Sequence, residues 1–383
     1  MSDGLALTCA FLAFCGHWLE FGPAWQGLIA AGIALSLLSQ YRSPLYLPAL
    51  ALVVCEGVSA GWNQRPLADL LAGPLPFVYF ALAGHRRFLS SPAWWRRLQL
   101  AATVIGLHAL ISLLAFRAAG GGHRIRPPIE SGWLQALVWP YYAGHYKYGA
   151  HAVGLFLNDN MLGLWCVALV PTLLVGRHRL SAAVLMLTTV WTYSRGATLA
   201  WMGSWLYLAV GLPPAERRRL ALRALLLVAM AAPMATWLDH QRFLNPTRRG
   251  IWPAERIINL RRGLHTLATG SLLGSGPGSQ GLVDSQLAKT ALELGWLGVL
   301  AYAGFFWRAL SQPAHRPHRA GVIALLLGCV GADLLYSPHL AATLFWLAGQ
   351  AKTPSEYDGL PRPPNPECPA SESPATEPEP GPQ

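Results

Sequence analysis

Charge is what this chain has least of: Asp, Glu, Lys and Arg make up 12% of its 383 residues, while 53% are hydrophobic and mean hydropathy is +0.33. Soluble globules carry about twice that charged share, so the composition excludes one and points to a polytopic membrane protein. Acidic residues are the scarcer sign, 18 against 29 basic, for a formal net charge of +11. Cysteine is sparse as well. Cys9, Cys15, Cys55, Cys166 and Cys329 fall in apolar runs and Cys368 in the C-terminal tail, which gives neither a disulfide framework nor metal-ligand spacing. The outer-loop histidines His123, His145, His151, His240 and His265 also lack ligand spacing, so a metal site is not expected. The first apolar run follows Asp3 without a basic leader or small-residue cleavage pattern and reads as a retained span, not a removed signal peptide.

What the sequence does have is apolar stretches near the ~20-residue length that crosses a ~30 Å hydrocarbon core. They lie at 5–21, 23–39, 44–60, 67–83, 98–119, 157–175, 180–193, 197–212, 220–238, 285–307, 320–336 and 340–351. The expected fold is all-α, a membrane bundle of about 12 transmembrane helices over residues 1–351, with a disordered Pro/Glu-rich cytoplasmic tail over 352–383. A cytoplasmic N-terminus places Arg42, Arg86, Arg87, Arg96, Arg97, Arg177, Arg179, Arg217, Arg218, Arg219, Arg308, Arg316 and Arg319 inside, as the positive-inside rule requires. Both termini are then cytoplasmic. The opposite connections are poor in charge except at 120–156 and 239–284, and the second carries Arg242, Arg248, Arg249, Arg256, Arg261 and Arg262. Long loops cross irrespective of charge, which accounts for a stray arginine; the cluster as a whole reads as an anion site. Because orientation explains the cytoplasmic arginines, the expected partner is anionic lipid or a phosphorylated substrate, and no nucleic acid.

Several stretches carry candidate chemistry. Tyr193-Ser194-Arg195-Gly196-Ala197 interrupts apolar sequence at the outer face, where an arginine is costly unless it meets water or an anion. Its guanidinium can hold two phosphate oxygens in a planar fork; the bland reading is an interfacial turn with a snorkelling arginine. The outer loop brings Arg256, Arg261 and Arg262 and then Gly274-Ser275-Gly276-Pro277-Gly278, which lacks the ending of a phosphate loop and reads as a tight turn back into the membrane. Asp284 opens the next run as a helix cap or a general base, with Glu293 nine positions on and on the opposite helix side. Between 133 and 160, Trp133, Trp139, Tyr141, Tyr142, Tyr146 and Tyr148 alternate with His145, Lys147 and His151, as in an interfacial belt or a surface that stacks on sugars. Glu56, Asp69 and Asp333 sit in or beside apolar runs, suited to line a polar cavity or pair with arginines.

Four phrases in this order resemble the bacterial O-antigen ligase and polymerase family: Asn158-Asp159-Asn160-Met161-Leu162-Gly163, Ser194-Arg195-Gly196-Ala197, Leu273-Gly274-Ser275-Gly276 closing the arginine loop, and Glu293-Leu294-Gly295-Trp296-Leu297-Gly298. The resemblance spans residues 155–351. It implies an all-helical inner-membrane protein with a large periplasmic loop that transfers a glycan from undecaprenyl diphosphate to a sugar hydroxyl, with no cofactor. Arg195 and Arg256 match the family's diphosphate arginines, with Arg249, Arg261 and Arg262 as substitutes for Arg256 and as substrate-binding candidates. Tyr141, Tyr142 and Tyr146 are the candidate sugar-facing aromatics. Family ligases carry His-Asn where this chain has Asp284-Ser285, which favours a polymerase over a ligase or protein-glycosylating relative. Fixed guanidinium groups would stabilise the charge of the leaving diphosphate without a metal, and Asp284, His265 and His240, in that order, are candidate bases. The implied partners are the lipid-linked oligosaccharide, membrane lipid and a chain-length regulator protein. Two other readings stand beside it: a transporter or flippase, although no internal repeat is visible, and a glycosyltransferase of the shape-and-division type.

Overall fold

The computed structural model describes residues 45–66, 69, 92–121, 128, 132–143, 151–156, 158–175, 178–210, 213–215, 217–219, 221–222, 251–280, 283, 285–311, 316–330, 340, 343–344 and 347–348. The runs expected at 5–21 and 23–39, nearly all of 67–83 and 220–238, and the tail lie outside them, as do Tyr146, His240, Arg249 and Asp284. The described residues are helical or turn, without a strand, so the chain is all-α.

The helices are α1 (Tyr46–Trp62), α2 (Pro92–Ala118), α3 (Gly132–Val138), α4 (Pro140–Ala143), α5 (Asp159–Val175), α6 (Arg179–Thr192), α7 (Arg195–Val210), α8 (Ile251–Ala268), α9 (Gln286–Ser311) and α10 (Arg316–Gly328), with a 3-10 turn at Gly154–Phe156. Gln99–Ala118 and Gln286–Ser311 are long and apolar enough to cross a membrane, and Tyr46–Trp62, Asp159–Leu174 and Arg179–Thr192 are shorter apolar helices.

At the centre stands α5, buried on every face over residues 162–173, as a helix that is apolar all round must be. Around it pack α6, α7 and α10, with α2 against α6. The His178 N–H bonds to the Leu173 carbonyl at 2.9 Å at one end, and a Cβ at Gly163 would meet Thr192 at the other, so α6 runs antiparallel to α5. In α10, Gly321 meets the Ala168 carbonyl and Gly328 meets Leu164, so α10 runs antiparallel to α5. A second layer is α9, flanked by α1 and α8. The two are joined where Cys329, at the end of α10, accepts the Gln286 N–H at 3.0 Å.

Two features go beyond what the apolar runs foretell. The connection at 239–284 is no plain loop, since it contains α8, whose Ile257, Leu260 and Leu264 recur at helical spacing and form an exposed apolar ridge. Nor is the run at 285–307 a straight span: α9 is broken at Gly295, which adopts φ 61° and ψ −151°. On a straight helix Gln286 and Tyr302 would stand about 24 Å apart, yet Gln286 Nε2 donates to the Tyr302 hydroxyl at 3.3 Å. The first segment of α9 therefore folds back along the second.

Candidate functional site

The four phrases of the sequence meet in two pairs. In the first pair, each residue of Asn158-Asp159-Asn160 has its own task. Asn158 caps α5: its Oδ1 accepts the N–H groups of Asn160 at 2.9 Å and Met161 at 3.2 Å. Asp159 Oδ2 pairs with His151 Nδ1 at 2.7 Å, and both residues are buried. Asn160 Oδ1 accepts the Ser194 hydroxyl at 2.8 Å. That hydroxyl also accepts the Ala197 N–H at 3.1 Å, which makes Ser194 the cap of α7 and Arg195 its first residue. Tyr193, in the left-handed region at φ 51°, turns the chain between α6 and α7. Gly163 completes the join, because a Cβ there would stand 2.8 Å from that of Ala197.

The His151 segment is held from several sides. The Tyr141 hydroxyl donates to the His151 carbonyl at 3.0 Å, the Ala152 N–H donates to Trp191 O at 2.8 Å, and the His151 and Tyr193 rings lie 5.1 Å apart. Tyr141 is buried and stacked on Phe116 at 4.4 Å. Burial pushes its phenol pKa up, so it remains a neutral donor. This corrects the sugar-stacking role expected of Tyr141: its face is spent on Phe116 and its hydroxyl on the backbone. Tyr142 is half-buried, edge-on to the same ring at 6.1 Å.

In the second pair the glycine-rich turn repairs the break in α9. Ser275 and Gly276 donate their N–H groups to the carbonyls of Leu292 and Glu293, both at 2.9 Å, and Trp296 and Leu297 donate to Ser271 and Leu272, both at 3.1 Å. The backbone groups orphaned by the break are thus satisfied, as an apolar environment demands. Ser59 of α1 adds a hydroxyl bond to Leu273 O at 2.6 Å. With these amides engaged, the turn is no phosphate cradle. Glu293 has a definite place: its Oε1 accepts the Gln280 N–H at 3.3 Å and so ties down the end of the turn.

Between this turn and α8 lies a cleft of about 440 Å³, lined by Arg262, His265, Thr266, Thr269, Ser271, Gly274, Ser275, Gln280 and Leu292. Arg262, His265 and Thr266 follow i, i+3, i+4 spacing and so form one polar stripe of α8, which Thr269 continues just past the helix end. A second stripe packs α8 on α9, where a Cβ at Gly263 would lie 3.3 Å from Ala288. Gln280 Oε1 accepts from Arg262 Nη2 at 3.1 Å, and Gln280 Nε2 donates to Ser275 Oγ at 3.0 Å, which orients the guanidinium.

Of the expected site residues, Arg262 and His265 therefore share one cleft, while Arg261 is exposed on α8 outside its lining. Arg195 begins α7 and Arg256 lies within α8; their side chains are outside the described residues. Asp284 also lies outside them; beside it, Ser285 caps α9, its Oγ accepting the Ala288 N–H at 3.4 Å. The pairing of His151 with Asp159 was not legible in advance: eight positions apart across a helix start, it has no sequence periodicity. Among the described residues no group of three or more His, Cys, Asp and Glu is placed to hold a metal. Comparison with family models, curated proteins and solved structures returned no match to this chain.

Proposed function

We propose that this chain is a polysaccharide polymerase of the bacterial inner membrane, with about 12 spans and both termini cytoplasmic. It transfers a glycan from undecaprenyl diphosphate to an acceptor sugar hydroxyl at the outer face, for O-antigen, capsule or exopolysaccharide. The observation that carries the reading is the cleft beside α8. It holds an arginine oriented by Gln280 and a histidine one turn away, and its volume falls within the ~300–1,000 Å³ of small-molecule sites. The apolar ridge of α8 supports the same reading, because a helix with one polar and one apolar stripe suits the membrane interface, where a lipid-linked donor presents its diphosphate.

In the proposed reaction Arg195 and Arg256, or Arg262 from the cleft as the substitute for Arg256, neutralise the diphosphate as the anomeric C–O bond breaks. Guanidinium groups held in place, as Arg262 is by Gln280, need no reorganisation to do so. The absence of the ligase histidine at Asp284 favours polymerisation over ligation. The test is reconstitution of the purified chain in vesicles with a lipid-linked repeat unit, read as chain-length distribution. A polymerase yields long carrier-linked chains, and Arg195→Lys, which keeps the charge but loses the two-pronged contact, loses most of that activity. Unextended repeat units with wild-type protein would overturn the reading, and transfer of the repeat across the vesicle without a new bond would replace it with a flippase. Full elongation by Arg195→Lys would leave that arginine only an anchoring role.

A further inference from the structure

We infer that His151 is the general base of the transfer and that Asp159 is its positioning residue, a pair that takes the place of the histidine this chain lacks at 284. The inference rests on the polymerase reading. Its ground is geometric: Asp159 Oδ2 lies 2.7 Å from His151 Nδ1 in a buried setting, which fixes the tautomer with the proton on Nδ1 and makes Nε2 the basic nitrogen. The pair stands beside the turn that carries Arg195, with the His151 ring 5.1 Å from Tyr193 and Asn160, next to Asp159, bonded to Ser194 at 2.8 Å. A purely structural tie would not require an ionisable pair; the segment is already held by Tyr141 and by the Ala152 backbone.

The step balances without a co-reactant. The acceptor hydroxyl gives its proton to His151 Nε2, its oxygen forms the bond to the anomeric carbon, and the electron pair of the breaking C–O bond leaves on the diphosphate. Among the described residues, the ionisable groups set against His151 include Asp159 from α5, Tyr193 from the α6–α7 turn and Tyr141 from α4, with Arg117 of α2 acting on Tyr141.

The experiment measures kcat and KM of elongation by reconstituted protein, with thermal melting as the check on folding. His151→Asn keeps a donor near the Nδ1 position but has no basic nitrogen, and it is expected to lose on the order of 10²- to 10⁴-fold in rate. Asp159→Asn removes the carboxylate that fixes the ring's orientation and tautomer, so kcat falls while KM for the lipid-linked repeat and the melting temperature stay near wild type. Wild-type elongation by His151→Asn would overturn the inference, and so would an Asp159→Asn variant whose loss follows a lowered melting temperature or a raised KM with kcat unchanged, as a structural tie predicts. Both results leave the polymerase reading intact. Failure of the wild-type protein to elongate at all would remove that reading and this inference with it.

Discussion

Ser285 shows how a single position alters what its neighbour is needed for. Its hydroxyl caps α9 at the Ala288 N–H and its carbonyl accepts the Lys289 N–H at 2.9 Å, so the helix start has a cap at 285. Ser285→Ala is expected to cost about 1 kcal/mol, read as a lower melting temperature in detergent. Asp284→Asn should then leave both stability and elongation near wild type. A loss on the order of 10²-fold or more in elongation with normal melting would make Asp284 the proton acceptor and displace His151. Asp and Ser are both good caps by type, so residue preference alone could not decide between them. Tyr141 shows the same limit from the other side: nothing in its own type separates a sugar-stacking ring from one stacked on Phe116, because the partner is 25 positions away in α2.

Among the elements, the break in α9 is held by a conformation only glycine adopts readily. Gly295 combines φ 61° with ψ −151°, and a Cβ there would stand 2.5 Å from Ser271 O. Gly295→Ala is expected to destabilise the fold by about 3 kcal/mol or more, by strain plus displacement of the turn from its bonds to α9. Gly304, in the second segment with open space around its Cα, is the control, and Gly304→Ala should be close to neutral. Equal melting temperatures for the two variants would show that the break is not needed. The lengths of the apolar runs had placed α1, α2, α5, α6 and α7 to within several residues, because a membrane-length apolar run is satisfied as a helix. They missed the break, since a glycine in an apolar run costs a helix only about 1 kcal/mol and is no stop signal by itself. They also passed over α8, whose arginines dilute the apolar stripe. The paired phrases were legible as motifs; that Asn160 would meet Ser194, and Leu292 would meet Ser275, depends on contacts 34 and 17 positions apart that no local pattern encodes.

At the scale of the whole molecule the helix directions gather the candidate site at one end. The cap of α5, the α6–α7 turn, and the junction of α10 with α9 lie together there, because α10 runs antiparallel to α5 and Cys329 meets Gln286. The end of α1 meets the glycine-rich turn, with Asn63 Nδ2 donating to Gly274 O at 3.5 Å. At the other ends of these helices stand Arg179, which opens α6, and Arg316, which opens α10 and donates to Tyr207 O at 2.8 Å. This polarity is the one the positive-inside rule requires if the site faces outward. Single cysteines replacing Arg261 or His265, both exposed, are therefore expected to react with an impermeant thiol reagent in intact cells, and those replacing Arg217 or Arg308, also exposed, only after the membrane is opened. The orientation matters because an acceptor chain already exported can meet a lipid-linked donor only at the outer face. Labelling of Arg217→Cys in intact cells with Arg261→Cys protected would invert the molecule, put the cleft of α8 in the cytoplasm and remove the proposed donor mechanism, however well the individual residues suit it.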